Sequence, residues 1–302
     1  MKSDAQLRGS TAVLHWVTAL WDKAGMALVF LLLFAGCALG VEDFLKIPNM
    51  RGLALAVSMT GMLSCTMLFC LAGGDFDLSI GSVVACAGVL SAVVVNATGS
   101  IAAGVVAGIA VGGLVGWTNG FIIAKFKINA LITTLATMQI VRGLGYIISD
   151  GKAIGVSNDR FYVLGNSAWL GVPTPVWITL ACFLVFGFLL RNTIFGRNTL
   201  AIGGNQEAAL LAGIRVDRHR ITVFLLQGLM AGFAGVILAS RMTSGQPKTS
   251  EGFELEVISA CVLGGVSLTG GMGSMLFVVS GVLIMGTVQN AMNLLNIPPF
   301  YQ

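Results

Sequence analysis

Apolar runs of about twenty residues recur along almost the whole chain, separated by short breaks rich in charge, proline, asparagine or glycine. A helix of that length spans the hydrocarbon of a bilayer, where every backbone polar group must be satisfied inside its own segment. The pattern predicts an all-α, polytopic transmembrane helix bundle. Spans are read at 24–41, 53–72, 78–95, 101–123, 129–148, 174–190, 221–240, 254–268 and 274–293, nine in all. The composition agrees, since 56% of the 302 residues are hydrophobic and only 10% charged, against roughly 25% charged in soluble domains. Phe34-Ala-Gly-Cys37 faintly resembles a lipoprotein cleavage box. The apolar run that begins after Lys23 is too long for a signal core, and further spans follow it, so neither a lipoprotein nor a cleaved signal is expected.

The net charge of +4 resides in the breaks and bears on orientation, not on nucleic acid. With the N-terminus cytoplasmic, ten basic residues fall inside (Lys2, Arg8, Lys23, Lys125, Lys127, Arg191, Arg197, Arg215, Arg218, Arg220) and six outside (Lys46, Arg51, Lys152, Arg160, Arg241, Lys248). That asymmetry favours a cytoplasmic N-terminus. Nine spans would then leave the other end outside, and Ile297-Pro-Pro-Phe-Tyr-Gln302 reads as if one more span were due.

One polar island, residues 191–220, is too long and too polar to sit in hydrocarbon, and the charge count places it in the cytoplasm. Within it Asn205 can cap a helix that carries Glu207 in its first turn and stops at Gly213 in the left-handed conformation. About two turns of helix are marginal alone, so the rest of the chain or a partner must hold them.

Glycine punctuates the spans in two ways. Gly104, Gly108, Gly112, Gly116 and Gly120 form a ridge at every fourth residue, and Gly228 and Gly232 repeat the spacing once. Such ridges let helix backbones approach closely, which is a packing device and also a face on which helices can rock. Residues 73–81 and 264–273 each open Gly-Gly and close on Ser or Thr and Gly between apolar runs, a possible echo of internal duplication.

The chemistry that is missing narrows the function. Gly151-Lys152 lacks the glycine five residues earlier that a phosphate-binding loop needs, so no ATP hydrolysis is expected. His15 and His219 have no metal-ligand spacing, and Cys37, Cys65, Cys70, Cys86, Cys182 and Cys261 form no CxxC pair, so no metal or disulfide framework is predicted. The span interiors offer no carboxylate, with Asp75 and Asp77 standing at a break, which disfavours both a membrane enzyme and an ion-driven carrier. The spans carry neutral polarity instead: Asn119 beside Trp117, then Thr133, Thr134, Thr137, Gln139 and Tyr146, Gln227, and Gln289, Asn290 and Asn293. Amides and hydroxyls beside aromatics suit an uncharged, hydroxyl-rich solute; each residue taken alone suits an interhelical hydrogen bond better, and only the pattern as a whole supports a pathway. Arg142, the one basic residue within a span, either snorkels or pairs with a carbonyl, or lines the pathway.

Gly204-Asn-Gln-Glu-Ala-Ala-Leu-Leu-Ala-Gly-Ile214 resembles the Glu-Ala-Ala coupling loop of bacterial ABC-importer permeases. Asp75-Phe-Asp-Leu-Ser-Ile-Gly81, Ile128-Asn-Ala-Leu-Ile-Thr-Thr-Leu135 and Gly264-Gly-Val-Ser-Leu-Thr-Gly-Gly271 resemble signatures of the monosaccharide branch of that family, which includes ribose, xylose and arabinose permeases. The resemblance covers essentially the whole chain. It implies a single transmembrane permease domain over 1–302 with ten spans, and a multi-pass subunit of the bacterial inner membrane that moves a monosaccharide, with L-arabinose expected, from periplasm to cytoplasm by alternating access. It implies that Gly204, Asn205, Glu207, Ala208, Ala209, Leu211 and Gly213 couple this chain to a separate ATP-binding subunit, which uses ATP and magnesium. A second permease copy, a periplasmic sugar-binding protein and membrane lipid are the other implied partners. The pathway would draw on Asn119, Thr133, Thr137, Gln139, Arg142, Gln227, Gln289 and Asn293, and loop charges near Arg160 and Glu251 would meet the binding protein. Two departures stand out: Gly213-Ile214 is not followed by the Ile-x-Leu-Pro of the maltose-type branch, and the family's final span and tail are not seen after the Pro-Pro break. The alternative classes are a stand-alone secondary carrier for a neutral polar solute, and a membrane-embedded enzyme or assembly factor.

Overall fold

In a computed structural model the placed residues are 25–298 and 300–301. Expectations that rest on the residues before 25, including His15 and the orientation of the N-terminus, lie outside them, as do Pro299 and Gln302. The described chain is helical, with two two-residue strand pairs at loop positions. Helix α1 covers Gly25–Gly40. Then come α2 (Ile47–Ala72), α3 (Ile80–Thr98), α4 (Ile101–Phe126), α5 (Ala130–Ser149), the single turn α6 (Val163–Asn166) and α7 (Thr174–Asn192). They are followed by α8 (Ile194–Gly204), α9 (Gln206–Leu211), α10 (Val216–Met242), α11 (Phe253–Leu263) and α12 (Met275–Leu294).

Seven of these helices, α2, α3, α4, α5, α7, α10 and α12, are long and apolar enough to cross a membrane. The nine-span expectation is corrected at one place. Of the first span, read at 24–41, Gly25–Gly40 is described and is an apolar helix. The span read at 254–268 is the 11-residue α11, which at 1.5 Å per residue reaches roughly half of a ~30 Å hydrocarbon core.

Helix α2 is the centre of the bundle, and its second half is buried from Ser58 to Ala72. Helix α11 lies along that half in the same direction. Thr60 Oγ1 donates to Glu256 Oε1 at 2.6 Å, Cys261 Sγ donates to the Ser64 carbonyl at 3.6 Å, and the Gly271 N–H donates to the Ala72 carbonyl at 2.9 Å. Helix α12 returns to the opposite end, where Asn290 and Asn49 exchange amide hydrogen bonds of 2.8 and 2.9 Å. The segment before α11 dips into the bundle beside α3, since a Cβ on Gly245 would lie 2.6 Å from the Gly88 carbonyl, and one on Gly81 would strike the Ser250 carbonyl. Two strand pairs cap that end, β1 (Ile154–Gly155) with β4 (Ser244–Gly245), and β2 (Ala168–Trp169) with β3 (Val172–Pro173).

The predicted glycine ridge is the seam between α4 and α10. A Cβ on Gly112 would sit 2.8 Å from Gly232 Cα, and one on Gly228 would sit 2.8 Å from Gly116 Cα, so these backbones touch with no side chain between them. The ridge continues onto α3, where a Cβ on Gly104 would lie 2.8 Å from the Ser91 carbonyl.

The two Gly-Gly breaks share a local cause. After α2 the Gly74 N–H donates to Leu71 and the Asp75 N–H to Cys70; after α11 the Gly265 N–H donates to Val262 and the Val266 N–H to Cys261. Gly74 and Gly265 stand at φ +83° and +76°. Both are the same left-handed helix stop, in which glycine satisfies the last carbonyls without a Cβ penalty. The repeat thus follows from local helix-ending chemistry.

Candidate functional site

The island at 191–220 folds into two short helices ahead of α10. Thr193 caps α8 by accepting from the Gly196 N–H at 3.3 Å. Asn205 closes the junction to α9 in an extended conformation, with its Oδ1 accepting from the Ala208 N–H at 2.9 Å, and Gly213 stands at φ +85°. Cap, acidic first turn at Glu207 and glycine stop all fall where the sequence places them. The 11-residue α8 has no counterpart in the sequence reading; its cap Thr193 is the signal that could have found it.

The chain itself holds the short helix from behind. Ala209 packs with Ile202 of α8, Val216 of α10 and Ile214 in a small buried cluster. His219 Nε2 meets Thr199 Oγ1 at 2.8 Å, and its ring lies 4.5 Å from that of Phe195, which ties α8 to α10. Asp217 holds Lys127 at 2.5 Å and Lys125 at 3.7 Å, joining the start of α10 to the end of α4. Leu211 is left 91% exposed and Leu210 51%, apolar side chains turned outward from a capped, braced helix.

Behind α9 three segments meet through backbone alone. A Cβ on Gly203, at the end of α8, would strike the Ala72 carbonyl and lie 2.5 Å from the Gly271 N. Gly270, at φ +87°, lies so close that a Cβ would sit 2.9 Å from Gly203 Cα and 3.0 Å from Gly74 Cα. Both glycine-rich breaks therefore rest on the base of the 191–220 loop.

The 73–79 segment carries charge inward from this junction. Asp75 Oδ2 accepts from Arg220 Nε at 2.6 Å, with both side chains about nine-tenths covered. Burial lifts the Asp75 carboxyl above its ordinary range, and the Arg220 guanidinium pulls against that. Asp77 is fully buried, with no cation against it among the described residues; its Oδ1 accepts from the Ser79 N–H at 2.9 Å and the Ser79 hydroxyl at 2.6 Å, and burial raises its pKa. Ser79 Oγ accepts from Asn119 Nδ2 at 3.0 Å, and Asn119 Oδ1 accepts from the Thr137 hydroxyl at 2.7 Å.

Of the predicted pathway residues, then, the structure joins Asn119 and Thr137 in one buried chain. Thr133 donates back to the Asn129 carbonyl at 3.1 Å. Gln139 lies on the exposed face of α5. Gln227 is fully buried, and among the described residues neither of its amide atoms finds a hydrogen-bond partner. Gln289 and Asn293 lie apart from these, on the last turns of α12. The Arg142 guanidinium donates to the carbonyls of Pro247 at 2.9 Å, Thr249 at 2.7 Å and Ser250 at 3.4 Å, so it clasps the dipping segment by carbonyl pairing. Tyr146 reaches Glu251 Oε1 at 3.4 Å on the same side. Glu254 and Glu256 open the stretch read as a span at 254–268, and the structure places both in the first turn of α11, Glu254 9% exposed and Glu256 accepting from Thr60. Among the described residues no group of three or more His, Cys, Asp or Glu side chains converges as a metal site.

The family comparison gives the class of this bundle of membrane-spanning helices. The profile described as branched-chain amino acid transport system / permease component matches residues 49–302, and the chain belongs to this family. It is similar to the L-arabinose transport system permease protein AraH of Escherichia coli (strain K12), 64% identical over 94% of this chain and 86% of that one. The L-arabinose ABC transporter permease protein AraH of Azospirillum brasilense is 55% identical over 95% and 84%, and the ribose import permease protein RbsC of Bacillus subtilis (strain 168) 37% over 100% and 94%. No solved structure matches. The chain is a multi-pass inner-membrane permease of the ABC sugar class, not an enzyme, and the ATPase of such systems is a separate subunit.

Proposed function

We propose that the chain is the membrane subunit of an ATP-driven importer that carries a monosaccharide, L-arabinose in the first instance, from periplasm to cytoplasm by alternating access. Two copies work with two ATP-binding subunits, which use ATP and magnesium, and with a periplasmic sugar-binding protein. The observation that carries this reading is α9, capped by Asn205, stopped by Gly213 and presenting Leu210 and Leu211 outward from a brace in its own chain. Glu207, Ala208, Ala209 and Gly204 complete the coupling element. The names of the similar permeases support the sugar class and L-arabinose within it. The far end, with Arg160 and Glu251, faces the binding protein, and membrane lipid covers the exposed apolar helix faces.

The reading is tested by exchanging Glu207→Lys and Gly213→Val. Both chains are expected to reach the membrane at normal levels but to lose ATPase association and uptake by more than about tenfold. Wild-type association and uptake in both would remove the coupling role. A stand-alone secondary carrier is the other reading, and the buried carboxylates Asp77 and Glu254 are what favour it. Uptake that survives ATP depletion and collapses with the proton gradient would establish that reading instead.

A further inference from the structure

Arg220 stands in the first turns of α10, directly behind the docking helix. Its Nε donates to Asp75 Oδ2 at 2.6 Å, and its terminal Nη2 donates to Gln206 Oε1 at 3.3 Å. Gln206 is the first residue of α9, and Asp75 lies in the segment that leads from the end of α2 into the core. A guanidinium is a planar fork whose donors point in fixed directions, so it holds two acceptors in a set relation as an ammonium cannot. The backbone junction of Gly203, Ala72 and Gly271 next to it has no side chains that could flex and absorb a displacement.

We infer that Arg220 is the positioning residue that transmits movement of the docking helix to the membrane core, by holding Gln206 and Asp75 on one guanidinium. Motion of α9 moves Gln206, Arg220 moves with it, and Asp75 draws the 73–79 segment. Two residues further on, Asp77 heads the buried chain through Ser79 and Asn119 to Thr137, which links that segment to α4 and α5. A purely structural ion pair would need only Asp75; the second arm to α9 is what a transmission role adds. Discrete side-chain arrangements of this kind can couple sites when two states bias them differently.

The inference rests on the importer reading, and the experiment separates the two. The chain, its ATP-binding subunit and the sugar-loaded binding protein are reconstituted in proteoliposomes, and sugar moved per ATP hydrolysed is measured. If the wild-type complex moves sugar without ATP, the importer reading fails and this inference with it. If wild-type uptake is ATP-driven, Arg220→Lys is expected to keep ATPase association and basal hydrolysis while sugar per ATP falls about tenfold, and Gln206→Leu is expected to lower sugar per ATP by a similar factor, read per complex formed. Gln206→Glu, which keeps the acceptor, is expected to retain the wild-type ratio. The inference is overturned if Gln206→Leu and Arg220→Lys stay at the wild-type ratio, or if they lower only the amount of folded complex. An equal loss in Gln206→Glu would overturn it too, since the acceptor is still present.

Discussion

Asp77 shows how one residue can be located by sequence and misjudged by it. Its position at a break is plain, but a break implies solvent, and the structure instead buries the carboxylate with Ser79 as its hydrogen-bonding partner. Burial raises its pKa above the ordinary 3.8. The neutral form is thus the one the fold favours: its stabilising contribution is complete below the ordinary value and is lost as pH rises through the raised one. Asp77→Asn keeps the acceptor and removes the titration. The stability of the detergent-solubilised protein, followed by melting, is then expected to decline less than wild type as pH rises above the ordinary carboxylate range. An unchanged pH profile would mean that Asp77 is ionised throughout. Arg142 illustrates the opposite case: both of its readings are open in the sequence, and the three carbonyls it clasps belong to a segment whose dip leaves no trace in hydropathy.

At the scale of elements, legibility follows from how local the cause is. The cap, acid and stop of α9 lie within nine residues, Asn205 to Gly213, and can be read directly. The ridge of α4 is equally visible as a spacing, yet its partner is not, because α10 carries only Gly228 and Gly232 at that period and α3 receives the rest. Gly116→Val would drive methyl groups into the Phe224 carbonyl and Gly228, both backbone, and is expected to cost about 3 kcal/mol or more. Thermal unfolding should show it, whereas Gly143→Val on α5, where a Cβ meets nothing within 4 Å, should be near neutral for the isolated chain. Helix α11 is the element that hydropathy misreads, since eleven apolar-flanked residues run on into a glycine loop and mimic the length of a span.

At the scale of the whole molecule, helix α2 is packed against elements from the last fifty residues of the described chain. Helix α2 is wrapped by α7, α10, α11 and α12, and the contacts Thr60–Glu256, Ser64–Cys261 and Asn49–Asn290 join residues some two hundred positions apart. A chain ended before Phe253 would bare the buried half of α2 and leave Thr60 without its acceptor. Its level in the membrane is expected to fall severalfold relative to the full chain, as immunoblotting would show. The class and the membrane character can be read from composition and motif order, while the packing partners cannot, because they depend on long-range contacts that carry no periodic signal. The junction of Gly203, Ala72 and Gly271 has a consequence of another kind. Its contacts run between main-chain atoms, so a methyl group at Gly203 would find no side chain to push aside and would have to displace the backbone of two other segments at once.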